Sequence, residues 1–325
     1  MKRKNNLYKQ ICNLENIIGA YNEVCKNTKN KKRVQNYRAY KCIYISRFYN
    51  DLKNRNYKVG PYNRFTIYEP KERKIVSQGM YDKIVNHLVS RYILYPAILP
   101  CLIEGNVASR KGYGTNKALD MVESFHRKCK INYGKYYILK CDISKFFASI
   151  NKDILKEKLK RKIKDGEALK IVFDIIDSEE KGLGIGNMTS QILAIFYLND
   201  LDHYIKEKLK IKYYVRYQDD FLLFHKSKTY LQECFKKISE FLDKEKLYLN
   251  NKSRLYSYKD NFMFLGRDKK RKYARYRDVR RRIKKRMYLY DSEKINLSSL
   301  TNSVICYRYL CEKNYKLICE KNVET

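Results

Sequence analysis

Three aspartates adjoin apolar stretches at positions where carboxylates could bind a metal ion. Asp142 ends the apolar run YYILKCD, and Asp219 and Asp220 lie between the apolar runs YYVRY and FLLF. Neighbouring carboxylates beside a hydrophobic core repel each other and lose hydration, and a divalent cation offsets both costs. An Asp-Asp pair alone is more often an acidic surface turn. A nearby strand ending in Asp142 reverses that preference, because three converging carboxylates could hold two Mg²⁺ ions for phosphoryl transfer.

Local patterns predict the elements that must position these residues. Apolar runs predict a strand over 136–141, a strand, tight turn and strand over 212–224, and two short strands over 64–76 joined at Pro70. Helical periodicity predicts helices in five segments, and the basic last sixty residues are also predicted to be helical. The five segments are 1–35, 81–95, 151–163, 189–209 and 229–242. This mixture of few strands and many helices predicts an α/β (α+β) fold.

The charge of the chain favours a polyanionic partner. There are 71 Lys and Arg against 35 Asp and Glu, a net charge of +36, although an AT-rich genome could also enrich lysine. The excess is concentrated between Arg267 and Arg286, where thirteen basic residues face two acidic ones. Such a density binds phosphates by releasing counterions. Nucleic acid is therefore favoured over an anionic membrane, for which this stretch lacks a clean apolar face.

The remaining composition limits the class of protein. No apolar run reaches the roughly 18 residues of a membrane span, and the N-terminus leads into no apolar stretch typical of a secretory signal. The ten cysteines are scattered without a CxxC pair, and only four histidines are present, which argues against a zinc site. These features predict reduced thiols and a cytoplasmic location.

The order of the motifs over about residues 60–266 resembles that of reverse transcriptases. Asp142 matches the first catalytic aspartate of that family, and YQDD, residues 217–220, matches its YxDD signature. The resemblance implies an RNA-directed DNA polymerase with a right-hand fold of fingers, palm and helical thumb. It also implies two Mg²⁺ ions, replaceable by Mn²⁺, held by Asp142, Ile143, Asp219 and Asp220.

The resemblance further implies contacts to nucleotide and nucleic acid. Phe147 matches an aromatic gate that excludes a 2′-hydroxyl, although the Phe146–Phe147 pair alone would favour core packing. Each basic candidate could equally be a solvated surface charge. The implied nucleotide-binding residues are Arg73, with Lys71 and Lys74 as weaker candidates, Arg110 beside Gly112 and Gly114, Phe147, Ile185, Gly186, Gln191 and Lys252. The implied nucleic-acid-binding residues are Phe264, Leu265 and Gly266 at a primer-gripping hairpin, and Arg280, Arg281 and Lys284.

The segment GLGIGNMTSQ, residues 182–191, indicates a subgroup. Group II intron enzymes typically have Pro-Gln-Gly here, whereas Ile185 stands at the Gln position and Gly186 follows. This arrangement, with RKGYGT and LNDLDHYIKE, resembles the reverse transcriptases of diversity-generating retroelements. That type implies error-prone copying of a structured template RNA, with dNTPs, an RNA/DNA duplex and a small basic accessory protein as partners. A glycine-rich loop entering a capped helix explains the same residues structurally.

The predicted organisation has three parts: a basic helical segment over 1–36, interlaced fingers and palm over 37–266, and a basic helical thumb over 267–325. Other biological roles remain open, including antiphage defence and a retron-type or domesticated intron enzyme. A non-catalytic RNA-binding module on a polymerase scaffold is a rival from another class. The three intact acids argue against it, because binding alone does not need them.

Overall fold

The computed structural model describes residues 2–28, 31–68, 72–267 and 276–310, which are mostly helical with six short strands. The strands are β1 (Asn63–Ile67), β2 (Arg73–Ser77), β3 (Tyr137–Asp142), β4 (Tyr213–Tyr217), β5 (Asp220–His225) and β6 (Arg254–Ser257). The α-helices are α1 (Tyr8–Ile11), α2 (Leu14–Asn27), α3 (Lys31–Ala39), α4 (Lys41–Lys53), α5 (Met80–Val89), α6 (Tyr95–Ile98), α7 (Thr115–Tyr133), α8 (Phe146–Ser149), α9 (Lys152–Lys160), α10 (Gly166–Asp177), α11 (Met188–Tyr197), α12 (Asn199–His203), α13 (Lys228–Lys244), α14 (Tyr276–Asp291) and α15 (Leu297–Leu310). Ser90–Leu94 and Tyr204–Lys208 form π-helical turns, and Leu99–Cys101 forms a 3₁₀ turn.

A four-stranded antiparallel sheet holds the acidic motifs, in the order β4-β5-β3-β6. The inner strands β3 and β5 have no exposed residue, which explains why their sequences are mainly apolar runs rather than alternating ones. Helix α13 packs against β3 and β5 and buries its apolar stripe there. The sheet is therefore a rigid platform whose inner strands end at Asp142 and begin at Asp220.

A separate two-stranded hairpin is formed by β1 and β2, with Phe65 opposite Ile75 and Ile67 opposite Arg73. The predicted strands over 64–76 are confirmed, and the predicted turn at Pro70, with Lys71, lies outside the described residues. The hairpin is joined to a later loop by the main chain, since the Val76 amide donates to the Ile185 carbonyl at 3.0 Å.

The predicted strands over 136–141 and 212–224 and the helices over 151–163 and 229–242 are confirmed, with small shifts at the ends. The prediction of a single helix over 189–209 is wrong. The chain leaves the helical conformation at Leu198 (φ −89°, ψ 7°), and α12 and a π-helical turn follow. No Gly or Pro is present at this break. The break lies just before Asp202, which is fully buried against Arg216.

The chain divides after Tyr258 into two compact units, Met1–Tyr258 and Lys259–Thr325. In the first unit, α2 packs on α4 and α5, and the core continues through α11 to the sheet. In the second unit, α14 and α15 pack against each other. The predicted division at residues 36 and 266 remains a prediction. No helix in the described part of the chain has the length and apolar character to cross a membrane.

Candidate active site

Strand register brings the three predicted aspartates together. Asp142 and Asp220 are directly opposite each other at the adjoining ends of β3 and β5. Opposed residues of an antiparallel pair project from the same face of the sheet, about 5 Å apart at Cβ. Asp219 lies in the turn before β5, and its carbonyl accepts a hydrogen bond from the Ile143 amide at 3.3 Å. All four residues predicted for the metal site therefore belong to one local cluster.

The main chain of Asp142 is fixed by the segment that precedes β6. The Asp142 amide donates to Ser253 Oγ at 3.2 Å, and the Asp142 carbonyl accepts from the Asn250 amide at 2.7 Å. Next to it, Ile143 forms an antiparallel bridge with Leu249. Lys252, predicted to contact the nucleotide, is exposed in the turn between Asn250 and Ser253. This turn thus lies beside the backbone of the first aspartate.

Burial dominates the electrostatics of the cluster. It raises the pKa of Asp220 to about 7, against the opposing charge of Lys140, and the charge of Asp142 raises it further. Burial likewise raises the pKa of Asp219, with Asp142 adding to the effect and the guanidinium of Arg73 opposing it. Asp219 and Asp220 are thus destabilised as anions, and exposed Arg73 on β2 lies within electrostatic reach of Asp219.

The donor chemistry of this cluster fits a hard divalent cation. Its carboxylate oxygens are the ligands that Mg²⁺ prefers, and Asp220 Oδ1 is buried without a hydrogen-bond partner. The other oxygen, Asp220 Oδ2, lies 3.4 Å from Lys140 Nζ. Among the described residues, no three His, Cys, Asp or Glu side chains converge tightly enough to form a complete ligand set. Lys140 therefore forms an ion pair with one of the carboxylates on which a metal site would depend.

A buried ion pair supports the turn that carries Asp219. Arg216 and Asp202 are both fully buried, and the Arg216 Nε atom donates to Asp202 Oδ1 at 2.7 Å. Arg216 Nη1 also donates to the Gln218 carbonyl at 2.9 Å, while Tyr214 donates its hydroxyl to Asp202. The guanidinium thus connects a core carboxylate to the main chain of the YQDD turn.

A second set of polar contacts joins this turn to two other motifs. Gln218 Nε2 donates to Ser109 Oγ at 3.0 Å, and Ser109 Oγ donates to Gln191 Oε1 at 3.4 Å. Both Gln218 (φ 56°) and Ser109 (φ 52°) adopt the left-handed conformation, which is unusual for residues other than glycine. Gln191, a predicted nucleotide contact, is thereby placed next to the YQDD turn.

The remaining predicted nucleotide contacts lie in different surroundings. Phe147 is partly buried at an edge-to-face angle to core residue Phe146, with ring centroids 5.7 Å apart. Ile185 is partly buried beside β2, and Gly186 (φ 128°) packs so closely that an added Cβ would lie 2.6 Å from the Val76 carbonyl oxygen. Glycine at 186 is therefore required both by backbone conformation and by space.

Arg110 is largely engaged within the chain. Its Nη1 atom donates to the carbonyls of Ile103 and Asn106 at 2.9 and 2.8 Å. Its guanidinium also lies 4.0 Å from the centre of the Tyr113 ring. Such contacts fix the loop that carries Ser109, so the structure gives Arg110 an evident role in shaping that loop.

The predicted nucleic-acid contacts belong to the second unit. Leu265 (φ 50°) and Gly266 (φ 79°) form a two-residue turn closed by a bridge between buried Phe264 and Arg267. Two successive positive φ angles are typical of a tight hairpin turn. On α14, the side chains of Arg280, Arg281 and Lys284 are exposed. These basic side chains thus present positive charge to solvent along one helix.

Several residues that surround the aspartates were not predicted from the sequence. Lys140 does carry a sequence signal, because it is the lone charged residue inside an apolar strand and, two positions before Asp142, must share its face. Gln218 and Ser109 carry no comparable signal, because their meeting depends on contacts between distant segments. The Arg216–Asp202 pair likewise joins a strand to a helix.

The fold and this cluster together indicate one protein family. Residues 24–268 match the family model described as reverse transcriptase (RNA-dependent DNA polymerase), and the chain therefore belongs to that family. The matched region contains the sheet, the hairpin β1–β2 and all three aspartates. The predicted α/β (α+β) right-hand polymerase fold is thus confirmed.

Individual relatives are more distant. The chain is 23% identical over 297 residues to the "Putative COX1/OXI3 intron 1 protein" of Saccharomyces cerevisiae, covering 84% of this chain and 33% of that protein. The chain thus spans about one third of the length of this curated relative. Among solved structures, a telomerase from Candida albicans with a fragment of telomeric RNA gives a TM-score of 0.49 at 13% identity over 66% of this chain and 45% of the other. Apo telomerase from Candida tropicalis, truncated from the C-terminal domain, gives 0.46 at 16% identity over 64% and 52%.

Proposed function

We propose that the chain is an RNA-directed DNA polymerase that adds deoxynucleotides to the 3′-hydroxyl of a primer. The observation that carries the proposal is the direct opposition of Asp142 and Asp220, with Asp219 in the adjoining turn, in a chain of the reverse transcriptase family. Such a group of half-buried carboxylates is costly without a cation, and clustered carboxylates of this kind are typical of functional sites.

Asp142, Asp219 and Asp220, with the main chain of Ile143, would hold Mg²⁺. Bound there, the metal would stabilise charge on the attacking and leaving oxygens of phosphoryl transfer. The protein's own contribution is to fix these carboxylates. The Ser253 and Asn250 contacts fix the backbone of Asp142, and Arg216 fixes the turn before Asp219.

Other residues would handle the incoming nucleotide. Arg73, whose charge reaches Asp219, is suited to the triphosphate, and Phe147 is suited to exclude a 2′-hydroxyl from the sugar site. Exposed Lys252 would meet the departing pyrophosphate. Ile185, Gly186 and Gln191 would lie next to the templating pair, and the basic face of α14 would follow the duplex backbone.

Primer extension on an RNA template tests this function. Wild-type protein with a DNA primer, the four dNTPs and Mg²⁺ should make cDNA. Asp142→Asn and Asp219→Asn should each lower the rate by at least about 100-fold, because each removes a negative ligand from the reacting centre. Asp243→Asn changes an exposed carboxylate on α13 and should keep wild-type activity. Full activity in Asp219→Asn would refute the assignment, and an inactive wild type that still binds RNA would favour the non-catalytic module.

We further propose that the enzyme serves a diversity-generating retroelement, copying a structured template RNA with frequent errors opposite adenine. The support is Ile185, an aliphatic residue where related intron enzymes typically carry Gln, which removes a hydrogen-bonding side chain beside the templating pair. Ile185→Gln should lower misincorporation opposite adenine, measured by sequencing the cDNA, and Ile185→Val should not. Paired near-identical genomic repeats that differ at adenines, with a gene for a small basic protein nearby, are expected. An isolated gene beside a noncoding RNA would instead indicate defence.

A further inference from the structure

The loop formed by residues 182–187 packs directly on the main chain of Phe147. The Leu183 amide donates to the Phe147 carbonyl at 2.8 Å. Gly182 adopts a left-handed backbone conformation (φ 63°), and an added Cβ there would overlap the same carbonyl oxygen. Glycine is therefore required at 182 by conformation and by space. The loop thus fixes the backbone of the residue that is suited to exclude a 2′-hydroxyl.

The far end of this loop is attached to the hairpin β1–β2. There the Ile185 carbonyl accepts the hydrogen bond from the Val76 amide. Between the two attachments, Gly184 lies against both the hairpin and a carboxylate. A Cβ added at Gly184 would be 3.3 Å from Val76 Cβ and 2.9 Å from Glu179 Oε1. The loop therefore connects Phe147 to the hairpin and passes over Glu179 on the way.

Glu179 is a buried carboxylate with one engaged oxygen. It is 7% exposed, and its Oε2 atom accepts a hydrogen bond from Arg64 Nη1 at 3.1 Å. Its Oε1 atom is buried without a hydrogen-bond partner among the described residues. The Lys152 ammonium donates to the main-chain carbonyl of Glu179 rather than to its carboxylate. Because an unpaired buried carboxylate is costly, the ion pair with Arg64 is the evident compensation for this charge.

Arg64 lies on the face of the hairpin that meets the loop. Arg64 is directly opposite Val76 in the strand register, and opposed residues of an antiparallel pair project from the same face. Just before β1, the Tyr62 hydroxyl and Ser178 Oγ are 2.6 Å apart and add a second contact. Successive residues of a strand alternate between faces, so Arg73 belongs to the opposite face of β2, and its charge reaches the aspartate cluster.

We propose that Glu179 is a positioning residue whose ion pair with Arg64 holds the hairpin β1–β2 against the loop 182–187. The pair thereby fixes Arg73, on the hairpin, relative to Phe147, beneath the loop. The contacts to the triphosphate and to the sugar of one nucleotide then keep a constant separation. This proposal rests on the proposed polymerase function, because that function supplies the nucleotide. The attachment itself is tested without synthesis.

Amide hydrogen exchange, followed by mass spectrometry, tests the attachment. The reporters are the Val76 and Leu183 amides, which donate the hydrogen bonds at the two ends of the loop. Glu179→Gln keeps the shape of the side chain but removes its charge, and Arg64→Met removes the charge of the partner. Each variant should speed exchange of both reporters by about 5- to 15-fold, as expected for loss of one charge-assisted hydrogen bond at a partly exposed pair. Circular dichroism checks that both variants fold.

The decisive quantity is the coupling between the two substitutions. The double variant of Glu179→Gln and Arg64→Met should exchange no faster than either single variant, because both remove the same interaction. Arg64→Lys keeps the charge and should stay within about 2-fold of wild type. Asp177→Asn breaks a nearby exposed ion pair with Lys156 and should leave exchange unchanged. Independent effects of the two substitutions would overturn the proposal.

Single-nucleotide extension then tests the consequence for the substrate. Glu179→Gln should raise KM for the dNTP by about 5- to 15-fold and leave kcat within about 2-fold, because it weakens nucleotide binding rather than the reacting centre. Discrimination against rNTPs should fall by a similar factor. A purely structural role would lower kcat through loss of active protein and leave KM and discrimination unchanged.

The two experiments separate this proposal from the polymerase function. Coupled exchange in a protein that makes no cDNA would support the attachment and refute the polymerase function. Synthesis with wild-type KM and wild-type discrimination in Glu179→Gln would overturn the positioning role and keep the polymerase function.

Discussion

Lys140 and Asp220 lie diagonally across the two inner strands of the sheet, with Lys140 Nζ 3.4 Å from Asp220 Oδ2. Lys140 is opposite Leu222, so it shares a face with Asp142 and Asp220. The lysine thus offsets part of the negative charge where the three aspartates meet. It does so incompletely, since burial still raises the pKa of Asp220 to about 7.

The metal-free protein should lose stability as pH rises from about 4 to 7. In this window the folded state holds a proton on Asp220 that the unfolded chain has released, so the unfolding free energy falls with pH. The wild type should lose on the order of 3 kcal/mol relative to Asp220→Asn across this range. Urea unfolding with EDTA at pH 5 and pH 8 measures this difference. Asp243→Asn should behave as wild type, and identical pH dependence in wild type and Asp220→Asn would contradict the prediction.

Removing the Lys140 charge should destabilise the metal-free protein more at pH 8 than at pH 5. At pH 8 Asp220 is ionised and would lose its partner, at a cost of about 1–3 kcal/mol, whereas at pH 5 it is protonated. Lys140→Met should therefore lower the urea midpoint chiefly at pH 8. Lys140→Arg keeps the charge and should restore most of the stability. A loss of equal size at both pH values would indicate that packing, not charge, is responsible.

Breaking the Arg216–Asp202 pair should be far more damaging than breaking an exposed pair. Asp202→Ala leaves a guanidinium buried without its counter-ion and should cost about 3–5 kcal/mol of unfolding free energy. Lys160 and Glu157 form an exposed pair, and Glu157→Ala should change stability by less than about 1 kcal/mol. Chemical denaturation of both variants provides the comparison. Similar small losses would show that Arg216 finds other partners.

Phe147→Ala should weaken discrimination between deoxyribonucleotides and ribonucleotides. If the ring excludes the 2′-hydroxyl, its removal should lower the ratio of kcat/KM values by about 10- to 200-fold. Phe146 is buried in the core, so Phe146→Leu should lower stability by about 1 kcal/mol and leave the ratio unchanged. Single-nucleotide extension with dNTPs and rNTPs measures both. An unchanged ratio in Phe147→Ala would remove this residue from the nucleotide site.

Those elements that depend on local pattern could be predicted from the sequence. The strands before Asp142 and around Asp219 are short apolar runs ended by polar residues, and their acidic ends already indicate which residues share a sheet edge. The hairpin β1–β2 was also predictable, because its strand-forming residues flank a Pro. In each case the determining interactions lie within a few residues.

Features that depend on distant contacts could not be predicted. The break at Leu198 has no local signal, and the pairing of Arg216 with Asp202 depends on how helix and sheet pack. The contacts from Gln218 through Ser109 to Gln191 join three segments that are far apart in the sequence. Sequence periodicity fixes the face of an element, but it does not identify what will cover that face.

The inner position of β3 and β5 determines how the aspartate cluster comes apart on heating. Each of these strands pairs with a neighbour on both sides, with β6 reaching as far as Lys140 of β3, so most of each strand opens only when a neighbouring strand detaches. Heat inactivation should then coincide with collapse of the whole sheet instead of preceding it. Substitutions at the protein surface should accordingly leave the pairing of Asp142 with Asp220 intact.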